Sequence, residues 1–195
     1  MSLVLAGALI SIAFNPIAFA AILPFKNWML KHSALARKYE NRDDPFAELP
    51  MSTERKFLEG QVVLVGYGHV GHQIAKALAE RDIPYIIAEQ NRELVQNLRK
   101  HGINAVSGDA TEPSVLIQNN AGVADADMLV IATGDPLNVR QMIDTARTLN
   151  PDIEIVLRTR SEDETKLLRK DNMGTVFFGE EELAKSMTHH ILDRF

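Results

Sequence analysis

From Gly60 to Phe195 the chain alternates short apolar runs with segments whose apolar positions recur every three or four residues. The runs predict strands buried on both faces, and the wider spacing predicts helices packed by one stripe. Val62-Val63-Leu64-Val65 is the first strand; Val70, Ile74, Ala77 and Leu78 follow at helical spacing until Arg81-Asp82 and Pro84 end the helix. Tyr85-Ile86-Ile87-Ala88-Glu89 is the second strand, and Asn91 caps a helix bearing Leu94, Val95 and Leu98 that stops at Gly102. Asn104 to Ser107 makes a short third strand, and Pro113 opens a helix through Val115 and Leu116. A fourth strand runs from Met128 to Thr133, a helix from near Leu137 to Leu149, and a fifth strand from Glu154 to Thr159. Ser161-Glu162-Asp163-Glu164 spells a capping box for the next helix. Thr175 to Phe178 is the sixth strand, and Glu180 to Arg194 a last amphipathic helix. This alternation predicts an α/β fold, a doubly wound parallel sheet of six strands in the order 3-2-1-4-5-6 with right-handed crossovers.

The first 25 residues follow another rule. Leu3 to Phe25 carry no charge, a run long enough to cross a hydrocarbon core that needs about 20 residues. Ala6, Gly7, Ala8, Ser11, Ala13, Ala18, Ala20 and Ala21 let neighbouring helices approach closely, and Asn15-Pro16 interrupts the ladder mid-span. Ala18-Phe19-Ala20 imitates a signal-peptide cleavage site, but no Lys or Arg precedes the run, so a transmembrane helix over 1–25 is the reading. Lys26, Lys31, Arg37 and Lys38 follow with no acid before Glu40, which places residues 26–195 on the cytoplasmic side of the membrane. Trp28 suits an interface anchor or a packed linker. The stretch 26–59 reads as a basic linker, with little regular structure between Asn41 and Pro50, and 60–195 as the globular domain.

Composition removes several functions. The formal net charge of −5 leaves no basic footprint for nucleic acid. Zero cysteines exclude disulfides, thiol catalysis and cysteine metal sites. His69 and His72 stand one turn apart and His189-His190 are adjacent, with no ordered partners to complete a metal site.

The chemistry concentrates where the first strand enters its helix. Gly66-Tyr67-Gly68-His69-Val70-Gly71 fits the Gly-x-Gly-x-x-Gly turn of a Rossmann domain: Gly66 for the tight turn, Gly68 for approach of a phosphate, Gly71 for close helix packing. The helix N-terminus then offers N–H groups and a positive dipole end to the anion. Glu89, 18 positions beyond Gly71, stands where a carboxylate accepts ribose hydroxyls and repels a 2′-phosphate, which favours NAD or an adenine mononucleotide over NADP. Arg92, three residues on, is positioned to receive such a phosphate instead. Asp109 either accepts the exocyclic amine of adenine or turns the chain into the next helix. Thr133-Gly134 either lines the nucleotide or turns the chain, and Arg158 either reaches a phosphate or closes an ion pair. Gly66 to Gly71, Glu89, Asp109, Thr133 and Gly134 lie at carboxyl ends of strands, near the reversal of strand order where such sheets bind ligands.

Gly66 to Gly71, Glu89, Gly108-Asp109-Ala110-Thr111, the strand into Thr133-Gly134-Asp135, and Arg158 together resemble the nucleotide-binding N-terminal domain of RCK/KTN regulators of potassium transport. The span with Ser11-Ile12-Ala13-Phe14-Asn15-Pro16 is similar to the last membrane helix of Kef-type cation:proton antiporters. The resemblance implies a paired regulatory domain, a homodimer, that binds AMP, NAD(H) or a related adenine nucleotide and gates the membrane transport domain of the same protein. Gly66, Gly68 and Gly71 would then hold phosphate, Glu89 the ribose, and Asp109 with Ala110 the adenine, with Tyr67, His69, Val70 and Gln90 also in the binding site. Thr133, Gly134 and Arg158 would complete the pocket, with no catalytic residue and no metal. One span does not make an antiporter, so the resemblance further implies that this sequence is part of a larger transporter. Two other classes stay open: an NAD-dependent oxidoreductase using the same pocket, and a self-contained, membrane-anchored nucleotide-binding protein.

Overall fold

A run of consecutive apolar residues has no solvent-facing side, so it must lie between two helical layers, and the computed structural model shows six strands alternating with helices, the first buried throughout and the last only in part. It describes residues 46–50, 53–117, 121–133 and 136–195. In chain order these are β1 (Val62–Val65), α1 (His69–Glu80), β2 (Tyr85–Glu89), α2 (Arg92–Lys100), β3 (Ala105–Ser107), α3 (Pro113–Leu116) and β4 (Met128–Ile131). Then come α4 (Pro136–Leu149), β5 (Glu154–Thr159), α5 (Glu162–Lys170), β6 (Thr175–Phe178) and α6 (Gly179–Leu192). All strand pairs are parallel, and the sheet order is β3-β2-β1-β4-β5-β6, as the alternation predicts. The fourth strand ends at Ile131, two residues before Thr133, and the last helix starts at Gly179 and stops at Leu192.

The expected caps form. The Asn91 side chain accepts the Leu94 N–H at 3.1 Å, and Ser161 accepts that of Glu164 at a longer 3.5 Å. On one face of the sheet Leu64, Ile87 and Val130 meet Ala75 of α1 and Val95 and Leu98 of α2. On the other, Val63, Leu129, Ile131 and Leu157 meet Val139, Met142, Ile143 and Ala146 of α4 and Leu168 of α5. The reversal of strand order therefore falls between β1 and β4, with α1 and α4 on opposite faces beside it.

The chain divides into two units, Met1–Asp43 and Asp44–Phe195, and the described residues belong to the second. Among them no helix is long and apolar enough to cross a membrane. The predicted span over 1–25 and the linker as far as residue 45 lie outside the described residues. The linker's tail, read from sequence as irregular, is a turn and coil that is nonetheless packed. Phe46 and Leu49 pack against the two opposite cores of the sheet.

Candidate nucleotide site

The turn after β1 is forced by two backbone contacts. Gly66 sits at φ +90°, where a side chain is strained, and a Cβ there would lie 3.2 Å from the Thr133 amide nitrogen. A Cβ on Gly71 would fall 2.0 Å from the Gly66 carbonyl oxygen, so α1 lies against its own turn only because residue 71 has no side chain. Gly68 differs from both. Its φ is an ordinary −71°, and a Cβ there would meet nothing within 4 Å. The fold explains Gly66 and Gly71; the open space beside Gly68 is where a ligand would approach the backbone.

Gly68 is also the N-cap of α1, so no side chain caps this helix, and its first turn holds no acid. The first turn of α2 carries Glu93, that of α5 carries Glu162, Asp163 and Glu164, and that of α6 carries Glu180, Glu181 and Glu182. An uncapped, acid-free N-terminus presents amide donors and the positive dipole end to an anion.

Glu89 holds the turn from below. Its Oε2 accepts the Tyr67 N–H at 2.7 Å and its Oε1 accepts the Asn91 N–H at 2.9 Å, so one carboxylate ties the glycine loop to the start of α2. A carboxylate offers about four lone-pair sites, so capacity for ribose hydroxyls remains. The Tyr67 hydroxyl lies 2.9 Å from Nδ1 of His72, one turn into α1, with the rings edge to face. Partial burial pushes the Tyr67 phenol above its usual pKa.

Beside the loop opens a cleft of about 160 Å³. Val65, Ala88, Ala110 and Met142 give it an apolar floor; Gly66, Glu89, Gln90, Gly108, Asp109, Thr111, Thr133 and Asn138 line the rest. A cleft lined by both apolar and polar residues suits a heterocyclic base with its ribose. Asp109 is exposed, and its Oδ1 accepts both the Thr111 N–H (2.9 Å) and the Thr111 hydroxyl (2.8 Å). These bonds, helped by Gln90, hold its carboxyl below the usual pKa. Asp109 thus shapes the turn and also lines the cleft.

Of the residues singled out by sequence, the structure gathers Gly66, Glu89, Gln90, Asp109, Ala110 and Thr133 around the cleft. Tyr67, Gly68, His69, Val70 and Gly71 form the adjoining loop and first turn of α1, outside the lining. Arg158 is half-buried on β5, in register with Phe177 of β6, and does not line the cleft. Gly134 lies outside the described residues. Sequence reasoning missed Asn138 and Met142, one turn apart on α4, whose i, i+4 spacing after the fourth strand is the signal that could have found them.

A parallel sheet in this order, with a Gly-x-Gly-x-x-Gly turn after β1 and an acid closing β2, defines a domain of the Rossmann class. The family model described as the TrkA-N domain matches residues 62–178, and the chain belongs to that family. The chain is 31% identical over 188 residues, 95% of its length, to a protein of Escherichia coli (strain K12) named as a cation/proton antiporter, YbaL. It covers only 32% of that protein, so it spans about a third of the relative's length. The crystal structure of the TrkA-N domain of the inner membrane protein ybaL from Escherichia coli superposes with a TM-score of 0.62 at 32% identity, covering 67% of this chain and 95% of that one. A Shewanella denitrificans Kef C-terminal domain in its AMP-bound form shares the fold, with a TM-score of 0.58 at 20% identity over 69% of this chain and 80% of the other. The RCK/KTN resemblance carried by the motifs is thus borne out.

Proposed function

We propose that residues 60–195 are the cytoplasmic nucleotide-sensing domain of a monovalent cation:proton antiporter, joined through the linker 26–59 to a last transmembrane helix at 1–25 in the inner membrane. The observation that carries the nucleotide reading is the contrast among the loop glycines: the fold requires Gly66 and Gly71, whereas Gly68 borders open space beside an uncapped helix N-terminus. The ligand this supports is AMP or NAD(H), phosphate on the loop, ribose on Glu89 and base over Ala110. A carboxylate at Glu89 opposes a 2′-phosphate, and the Arg92 guanidinium lies 5.4 Å from the centre of the Phe46 ring, engaged on the linker side. Binding would act on transport by favouring one arrangement of paired domains over another, since a ligand shifts an equilibrium only through differential affinity.

Pairing has its own support. Helix α6 has no buried residue, and Leu183, Met187 and Ile191, spaced four apart, are 60%, 57% and 53% exposed. We read this stripe as part of a homodimer surface. In the same reading the domain is a sensor and not an enzyme, in keeping with the transporter relatives it resembles.

Calorimetry of AMP, ADP, NAD, NADH and NADP against the chain, with Glu89→Gln and Gly68→Ala beside the wild type, tests the proposal. Binding of an adenine nucleotide, weakened about tenfold or more by Gly68→Ala without loss of folding, is the expected result. A folded chain that binds none of them would make the glycine turn a scaffold only.

A further inference from the structure

The sheet edge at β3 is closed by the chain that enters the domain. The Ser107 N–H, at the outer edge of β3, donates to the Phe46 carbonyl at 2.7 Å. Arg99, on the last turn of α2, donates from Nε to the Ala105 carbonyl at 2.6 Å and from its terminal nitrogen to the carbonyls of Phe46 and Glu48. The Phe46 ring lies within 5.4 Å of the Arg92 guanidinium and 5.2 Å of that of Arg99. A guanidinium fork satisfying backbone carbonyls of two segments fixes their relative position more tightly than apolar packing alone.

Two short routes lead from the cleft to this clamp. Consecutive amides at the end of β3 point to opposite sides: Ser107 N–H outward to Phe46, Gly108 N–H inward to the Glu89 carbonyl at 3.1 Å. The next residue, Asp109, lines the cleft. The second route starts at the Glu89 carboxylate, which holds the Asn91 N–H at the head of α2; the tail of α2 carries Arg99. Both candidate nucleotide carboxylates therefore connect to Phe46 through hydrogen-bonded backbone and one rigid helix.

We infer that Arg99 and the segment Phe46–Leu49 form a coupling clamp through which occupancy of the cleft reaches the chain entering the domain. This rests on the nucleotide-binding reading of the same cleft. Arg99 is a positioning residue: it touches no ligand and transmits the position of α2 and β3 to the linker. Close-packed interiors pass small displacements on instead of absorbing them, so a shift at Asp109 or Glu89 is delivered to Phe46.

The test is hydrogen–deuterium exchange by mass spectrometry on the full 195-residue chain, with calorimetry of AMP and NAD on the same preparation. Saturating nucleotide is expected to slow exchange of peptides covering residues 46–50 by about threefold or more, with Arg99→Ala abolishing that response while changing affinity less than about threefold. A purely structural edge cap would instead show faster basal exchange in Arg99→Ala and no nucleotide dependence in the wild type, and that result overturns the inference. Binding without a linker response removes the clamp alone; absence of binding by the folded chain removes both the clamp and the nucleotide reading. The wild-type measurement decides the matter even where Arg99→Ala fails to fold.

Discussion

The two edges of the sheet are finished in opposite ways. At β3 the chain's own entering segment covers the edge, its carbonyls held by Ser107 and Arg99 and its apolar side chains set into both cores. At β6 the outer strand leaves Phe177 43% exposed, and α6 carries its apolar stripe into solvent. An unprotected edge invites association, and proteins usually blunt it. Here the edge nearest the cleft is closed within the chain, whereas at the far side apolar side chains of β6 and α6 face solvent. In the reading proposed above, the half that binds is complete in one copy, and the half that assembles is not.

That contrast can be broken or sharpened by substitution. The largest effect is expected at Gly71→Ala, whose new methyl would collide with the Gly66 carbonyl 2.0 Å away. A loss of about 3 kcal/mol in urea unfolding is expected, and an unchanged midpoint would mean the turn has an alternative conformation. Arg99→Ala comes next. It strips partners from the carbonyls of Ala105, Phe46 and Glu48, and a loss of about 1–3 kcal/mol should appear in the same measurement.

Leu183→Asp with Ile191→Asp should move stability by no more than about 0.5 kcal/mol, because both sites are exposed, yet lower the dimer fraction in sedimentation. A large stability loss would mean that α6 packs on its own sheet, and the two edges would then be alike.

The smallest effect belongs to pH. The bonds from Thr111 hold the folded pKa of Asp109 below its unfolded value of about 3.9. Its contribution to stability is therefore complete above that value and is lost as pH falls through the lower, folded one. Asp109→Asn should lower stability slightly at neutral pH and flatten the acid side of the profile, the two chains converging in urea midpoints as pH falls below the folded pKa.

The strand order and the identity of the site-bearing strand ends could be read from sequence because each depends on local signals: apolar runs, caps at Asn91 and Ser161, and glycines at a turn. The docking of Phe46 could not. Arg99 lies on the polar side of an amphipathic helix, and its bonds run to backbone carbonyls some fifty positions away, which leave no periodic trace. Asn138 and Met142 were missed for a related reason, since what α4 presents to the cleft is decided by how it packs against the sheet. Glu89 was assigned to ribose on spacing alone; that it also pins Tyr67 and Asn91 follows from geometry that spacing does not encode.

If the cleft takes a dinucleotide, as proposed above, Arg92 resting on Phe46 bears on which one. A ligand bearing a 2′-phosphate could recruit that cation only by drawing it off the aromatic ring, loosening one side of the grip on the entering chain. Discrimination between the two dinucleotides would then be written twice: once as affinity at Glu89, and once as tension on the linker.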